Sequence, residues 1–129
     1  MVKFPCIWRI FMSDLVSFAD FTALDIRVGT IVRVEVPSGS AHVYRLTIDF
    51  GKEVGERTIF SGLKQTYEPD ELLNKQVLCV VNLEPKKVMG EESQGMLLAV
   101  DPSAGSGQVA TRPILLVPAE KAPEGSKAR

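Results

Sequence analysis

The fold is decided first by residues 26–36, whose sequence is IRVGTIVRVEV. Apolar and polar side chains alternate along most of this stretch, and a period of two is typical of a β-strand with one buried face. The alternation slips at Gly29 and Thr30. A slip of this kind predicts a bend or bulge where a barrel strand passes from one partner strand to another.

The next two strands are predicted immediately after this one. Residues 43–50 alternate in the same way, so they predict a half-buried strand. Its expected buried face consists of Tyr44, Leu46, Ile48 and Phe50. Residues 51–55 then make a turn, and residues 56–60 (ERTIF) form a short strand that pairs back as a hairpin.

The second half of the chain begins with a stretch that does not read as strand. Residues 63–75 predict one short helix interrupted by Pro69, because proline bars a continuous helix through the segment. Residues 76–83 (QVLCVVNL) are almost continuously apolar, as expected of a strand buried on both faces. Residues 95–100 (GMLLAV) are its predicted partner, and a last strand is expected around residues 114–117.

These elements together predict a mostly β fold. Five short strands with one short helical insertion after the third are what an OB-fold, a five-stranded Greek-key barrel, would give, here with extra C-terminal strand segments. A chain of 129 residues with 45% apolar side chains can bury such a core without disulfides or metal. We expect an N-terminal extension at 1–19, the domain at 20–117 and a polar tail at 118–129.

The N-terminal residues 1–11 leave two interpretations open. They are either an extension from an upstream start, since Met12 opens a plausible natural start, or a variable tail that packs on the surface. Pro5 and Arg9 break the apolar stretch, and no small-residue cleavage site follows, so the sequence does not predict a signal peptide. No stretch approaches the roughly 18 apolar residues that a membrane-spanning helix needs.

Residues 82–99, NLEPKKVMGEESQGMLLA, join the fourth and fifth predicted strands and have two interpretations. The simpler one is a hairpin with Gly90 in the turn and its charges in solvent. The alternative is a binding loop, because Asn82 interrupts an apolar strand and Lys86 can meet phosphates as a point charge. Both interpretations stay open on the residues alone.

Charge and cysteine content narrow the classes of function. A formal net charge of −1 and an isoelectric point near 5.8 argue against a large basic face, so any contact with RNA must be local. Cys6 and Cys79 are far apart and suggest no disulfide framework, which fits a reducing cytoplasm.

The usual signatures of catalysis are missing from the sequence. With His42 as its one histidine, the chain can hold neither a His-based triad nor a multi-His metal site. There is no phosphate-binding glycine motif, and Ser61-Gly62 lacks the residues of a strained nucleophile turn. We therefore expect a protein that is not an enzyme and that uses no metal or cofactor.

From about residue 20 to about residue 117, the chain resembles the tRNA-binding domain family. This domain is shared by the C-terminal part of many methionyl-tRNA synthetases, free-standing tRNA-binding proteins, the endothelial-monocyte-activating polypeptide group and CsaA-type secretion chaperones. The motifs that carry the resemblance are DIRVG (25–29), IDFG (48–51), RTIFSGL (57–63), NL with PK (82–83, 85–86) and Gly90 with SQGMLLA (93–99).

The resemblance implies an OB-fold that is usually dimeric when free-standing and that recognises the tRNA body by shape. Carried over by position, it implies that tRNA is contacted by Asn82, Lys86, Ser93, Met96 and Ser61. Residues 41–51 look like the CsaA branch, whereas the chain from Ser61 onward looks like the tRNA-binding branch.

Two functional hypotheses follow from this mixture, with a third kind of partner beside them. The first is a cytoplasmic, non-catalytic homodimer that binds tRNA. The second is a CsaA-type chaperone that holds unfolded or export-bound polypeptides in an apolar groove of the dimer. The third partner is an aminoacyl-tRNA synthetase on which the chain would dock.

Overall fold

The computed structural model describes residues 14–102 and 112–129. Within these residues the chain forms three short helices, α1 (Phe18–Ala23), α2 (Gly51–Val54) and α3 (Pro69–Leu72). The strands found in the same residues are β1 (Ile26–Glu35), β2 (Tyr44–Asp49), β3 (Glu56–Ser61), β4 (Gln76–Val80), β5 (Lys86–Val88), β6 (Glu91–Ser93), β7 (Met96–Leu97), β8 (Ala99–Val100) and β9 (Ile114–Leu115). The predictions for residues 1–13 and 103–111 lie outside the described residues.

Strand β1 organises the main sheet, whose order is β3-β2-β1-β4-β7. Its first half, from Ile26 to Thr30, pairs antiparallel with β4, and its second half, from Thr30 to Glu35, pairs antiparallel with β2. One strand can serve two partners in this way because it curves around the barrel. The predicted mostly β, OB-like barrel is confirmed.

The irregularity in β1 lies slightly beyond the predicted position. The partner changes at Thr30, as the slip in alternation indicated, but the shift of register falls between Ile31 and Arg33. Gly29 has a different role, since a Cβ atom there would lie 2.6 Å from Cγ2 of Ile48 and 2.6 Å from Cε1 of Phe50. Glycine is therefore required at this position because the core packs directly against the backbone.

The core fills the barrel with the side chains that the period of two assigned to it. Tyr44, Leu46, Ile48 and Phe50 are all buried, so the predicted inner face of β2 is confirmed. The Tyr44 hydroxyl donates a hydrogen bond of 2.7 Å to the carbonyl oxygen of Tyr67, so the polar end of this buried ring is satisfied.

Hydrogen bonds between β3 and the link from β6 to β7 bring the barrel close to closure. The carboxamide oxygen of Gln94 accepts from the amide of Thr58 at 2.9 Å, and the amide of Gln94 donates to the Thr58 carbonyl oxygen at 2.8 Å. The side chain of Gln94 therefore adds a hydrogen bond to the backbone pairing where the two edges of the sheet meet.

The helical insertion is shorter than predicted. Helix α3 begins at Pro69 and not before it. Amide groups in the first turn of a helix have no partner within the helix, so proline, which lacks an amide hydrogen, loses no hydrogen bond there. Glu68 and Glu71 form a capping box at its start. Residues 64–66 form a turn, so the segment contains one helical turn that Pro69 opens, where the sequence predicted a helix that Pro69 interrupts.

The predicted strand at residues 95–100 is divided in two. Strand β7 pairs with β4, whereas β8 pairs with β9. Leu98, between them, donates from its amide to Leu78 and accepts at its carbonyl from the amide of Leu116. The chain changes partners here, as β1 does at Thr30.

The C-terminal segment, defined as residues 118–129, runs along the free edge of β1. The amide of Val28 donates to the carbonyl oxygen of Ser126 at 2.9 Å, and the amide of Ala128 donates to that of Ile26 at 2.7 Å. The side chain of Gln76 bonds both the amide (2.9 Å) and the carbonyl oxygen (2.6 Å) of Ala122. The segment that composition describes as a polar tail is thus held along the barrel.

Candidate nucleic-acid interface

A two-stranded hairpin, β5 and β6, forms the middle of the predicted binding loop. Lys86 faces Ser93 across the two strands, and Val88 faces Glu91. The two turn residues, Met89 and Gly90, have φ angles of 52° and 86°. Positive φ at both positions is the mark of a type I′ turn, whose twist matches that of the strands it joins.

A groove lies between this hairpin and the barrel. It has a volume of about 600 Å³, and we call it the hairpin groove. Its lining residues are Phe60, Ser61, Gly62, Leu83, Glu84, Lys86, Val88, Ser93, Gly95, Met96 and Leu97. The structure therefore brings together four of the five predicted contact residues, namely Ser61, Lys86, Ser93 and Met96, and it leaves Asn82 outside this lining.

Lys86 is the charged group best placed to meet a ligand in this groove. Its side chain is exposed, and no salt bridge or side-chain hydrogen bond holds it to any of the described residues. Met96 is 49% exposed on the same lining. In such a groove the lysine ammonium group can bind a phosphate, while the flexible methionine side chain packs against the flat face of a neighbouring group of the same ligand.

The polar side-chain groups of Ser93 and Asn82 form hydrogen bonds within the protein. Ser93 is 7% exposed, and its hydroxyl accepts from the amide of Phe60 at 3.1 Å. The side-chain amide of Asn82 donates to the carbonyl oxygen of Ala23 at 2.7 Å, and its oxygen accepts from the amide of Asp25 at 2.8 Å. The partner that a polar residue at this strand end needs is thus the backbone between α1 and β1.

The family model whose description reads "Putative tRNA binding domain" matches residues 26–127 of this chain. The chain belongs to this tRNA-binding domain family. The match includes β1, the hairpin groove and most of the C-terminal segment.

Known relatives of this domain occur inside much longer proteins. Methionine–tRNA ligase of Pyrococcus horikoshii is 46% identical over 116 residues, which is 90% of this chain and 15% of that protein. The same enzyme from Methanothrix thermoacetophila is 40% identical over 111 residues, which is 86% of this chain and 15% of that protein. The chain thus spans about one seventh of the length of the curated relatives it matches.

Two solved structures of similar length have the same fold. A MetRS-related protein from Pyrococcus horikoshii has a TM-score of 0.78 at 32% identity, covering 90% of this chain and 99% of its own. The chaperone CsaA from Bacillus anthracis has a TM-score of 0.76 at 34% identity, covering 90% of this chain and all of its own. The tRNA-binding domain therefore resembles both branches that the sequence motifs indicated.

Two side chains that shape this part of the domain, Phe60 and Arg57, are not among the predicted contact residues. Phe60 lines the groove, and Arg57 donates to the carbonyl oxygens of Val81 (3.2 Å) and Gln94 (3.4 Å). Arg57 therefore joins β3 to the residue that precedes the predicted binding loop and to Gln94 within it. For Phe60, the signal available in the sequence was the period of two, because it places Phe60 on the face of β3 opposite to the buried side chain of Ile59.

Charges around the groove are balanced. Lys86 and Glu84 both line it, and Lys87 faces Glu92 on the two strands of the hairpin. Arg45 on β2 pairs with Glu91 at 2.9 Å and with Glu35 at 2.8 Å. The hydrogen bond to Glu91 is the main cause of a raised pKa at the Arg45 guanidinium, so this group stays charged.

The described part of the chain holds neither a metal-binding cluster nor a membrane-spanning helix. No group of three or more histidine, cysteine, aspartate or glutamate side chains there could hold a metal ion. No helix among these residues has the length and apolar character to cross a membrane.

Proposed function

We propose that this tRNA-binding domain is a non-catalytic module that binds tRNA through the hairpin groove. The observation that carries the proposal is the convergence of Ser61, Lys86 and Met96 on one groove, with the Lys86 ammonium group unpaired among the described residues. Lys86 would bind a backbone phosphate. Ser61 would donate or accept a hydrogen bond, and Met96 would pack on an exposed base or sugar.

Recognition in this proposal depends on the shape of the tRNA body. A single groove with balanced charge offers few base-specific partners, and proteins recognise folded RNA largely through backbone position and exposed bases. Asn82 and Ser93 support the site indirectly in our account, because their polar groups hold the backbone on either side of it.

A second candidate is peptide binding of the CsaA type. Specific support comes from the structural likeness to the CsaA chaperone and from the apolar side chains of Phe60, Leu83, Met96 and Leu97 in the groove. An unfolded or export-bound polypeptide would bury those side chains. Such binding would survive high salt, since burial of apolar surface is little screened.

We further propose that the domain forms a homodimer and acts in the cytoplasm, where tRNA is available. The support for a dimer is an exposed apolar face on and before α1, where Leu15 is 75%, Val16 70% and Phe18 79% exposed. Apolar patches of this kind commonly mark protein contacts. The alternative occupant is an aminoacyl-tRNA synthetase, and co-purification with such an enzyme would reveal it.

A parallel titration tests the proposed ligand. The purified protein is titrated with bulk tRNA and with a reduced, unfolded polypeptide, each at about 50 mM and about 200 mM salt. The proposal expects tRNA binding that weakens as salt rises, together with weak or absent polypeptide binding. Polypeptide binding that is equally strong at both salt concentrations, without tRNA binding, would establish the second candidate instead.

A further inference from the structure

The β5–β6 hairpin is held to the barrel at two places. At its base, Ser93 accepts a hydrogen bond from the amide of Phe60, and Gln94 bonds Thr58. Near its turn, Glu91 accepts a hydrogen bond from Nε of Arg45 at 2.9 Å. A hairpin with three-residue strands is only marginally stable by itself, so its position over the groove depends on such attachments.

Arg45 is placed to connect this hairpin with two strands of the barrel. It lies on β2, paired with Glu35 of β1 on one side and with Phe60 of β3 on the other. Its guanidinium group donates through Nη1 to Glu35 at 2.8 Å and through Nε to Glu91. The side chain is 27% exposed, so one partly buried planar cation joins carboxylates from two separate sheets.

The position of Arg45 beside the groove gives this contact a functional consequence. Phe60, its neighbour across the strands, lines the groove, and Glu91 lies on the strand that pairs with the strand of Lys86. A shift of Glu91 would therefore move Lys86 relative to Phe60.

We propose that Arg45 is a positioning residue that holds the hairpin through Glu91 and thereby sets Lys86 over the groove. Glu35 orients the guanidinium group, so the three side chains act as one latch, which we call the Arg45 latch. Its effect on tRNA rests on the proposed function, whereas its effect on the hairpin does not.

Replacing Glu91 distinguishes this proposal from a purely electrostatic effect of the carboxylate on RNA binding. Replacing a carboxylate near a phosphate-binding site with a neutral amide should strengthen RNA binding if only charge matters. It should also strengthen binding if Arg45 itself contacts a phosphate, because Arg45 would lose a competing partner. The latch predicts the opposite sign, because Glu91→Gln loosens the hairpin that carries Lys86.

The experiment measures hydrogen exchange and tRNA affinity on the same variants. Arg45→Gln and Glu91→Gln are compared with Arg33→Gln, which removes one positive charge from an exposed position on β1 that forms no salt bridge with the described residues. We expect the β5–β6 amides to exchange faster in both latch variants and tRNA affinity to fall about threefold in each, the change that loss of one partly exposed ion pair produces. Arg33→Gln should leave hairpin exchange unchanged.

The outcomes distinguish the two proposals. Unchanged hairpin exchange in Arg45→Gln and Glu91→Gln, or tighter tRNA binding in Glu91→Gln, overturns the latch, and a loss of affinity in Lys86→Gln would then still support the proposed function. Faster hairpin exchange with unaltered tRNA affinity supports the latch and counts against the proposed function of the groove. Arg45→Lys, which keeps the charge but can reach only one carboxylate well, should show an intermediate loosening.

Discussion

Asn82 and Lys86 lie four positions apart in the predicted binding loop, yet their side chains have different roles in the structure. The Asn82 side chain bonds the backbone at Ala23 and Asp25, whereas the Lys86 side chain forms no salt bridge with the described residues. We therefore predict that Asn82→Ala lowers the free energy of unfolding by about 1–2 kcal/mol, since it removes two hydrogen bonds with a net contribution of about 0.5–1 kcal/mol each. Urea unfolding measures this change.

Lys86→Ala is the matched control for Asn82→Ala. It should leave the free energy of unfolding within about 0.5 kcal/mol of the unaltered protein, as exposed substitutions usually do. Equal stability of both variants would mean that the Asn82 hydrogen bonds contribute nothing to the fold.

Cys79 makes the stability of the barrel sensitive to alkaline pH. Burial raises the pKa of its thiol to about 12 from an ordinary value of 9.0. Because the folded state keeps the thiol protonated, this contribution to stability is fully present below about pH 9 and is lost as the pH rises towards 12. In a Cys6→Ser background, the free energy of unfolding should fall more steeply between pH 9 and 10.5 with Cys79 than with Cys79→Ala.

The comparison with Cys79→Ala uses slopes and not absolute values, because alanine leaves a cavity in the core. Tyr44, whose pKa burial also raises, is present in both proteins, so its effect cancels. Identical pH slopes would show that the thiol is not buried as the structure describes.

The C-terminal segment is an element whose contribution to stability can be tested through Gln76. Its side chain donates to the carbonyl oxygen of Ala122 and accepts from the amide of the same residue. Gln76→Glu removes the donor and places a carboxylate beside that oxygen. We predict a loss of about 1–2 kcal/mol in the free energy of unfolding and faster exchange of the Val28 amide, which is bonded to Ser126.

Lys121→Ala, next to the same contact, is the control. Its side chain is exposed, so neither stability nor exchange at Val28 should change. If Gln76→Glu behaves like Lys121→Ala, the C-terminal segment does not depend on the Gln76 contact.

The strands were predictable where the side chains carry the signal. Residues 43–50 alternate strictly, and their apolar members fill the core as expected. The pairing of residues 125–128 with β1 was not predictable, because it uses backbone groups and the sequence GSKA has no apolar alternation. Pairing of this kind depends on where β2 leaves the edge of β1 unpaired, which only the assembled barrel shows.

The same limit applies to the candidate site. The motifs identified a group of residues, and four of them do line one groove. The sequence could not reveal that the hydroxyl of Ser93 is turned inward, or that Arg45 ties Glu91 to the barrel, since both depend on strands that are distant along the chain. A residue type and its spacing indicate which groups are available, while the fold decides which of them remain free.

At the scale of the whole molecule, charge balance limits how tRNA can be held. The net charge is −1, and Arg27, Arg45 and Arg112 are each paired with carboxylates. Because basic and acidic groups nearly cancel, a large basic face is not expected, and the domain should depend on a small number of well-placed contacts. In this account Lys86 is one of them.

The most direct test is the salt dependence of tRNA affinity in Lys86→Gln, with Lys52→Gln as control. Lys52 is an exposed lysine on α2, before the start of β3, whereas the groove lies at the other end of β3. We predict that Lys86→Gln weakens binding at low salt and lowers the slope of log affinity against log salt by about 0.7–1, the loss of one phosphate contact, while Lys52→Gln changes neither. Equal affinities and equal slopes in the two variants would contradict the placement of tRNA in the hairpin groove.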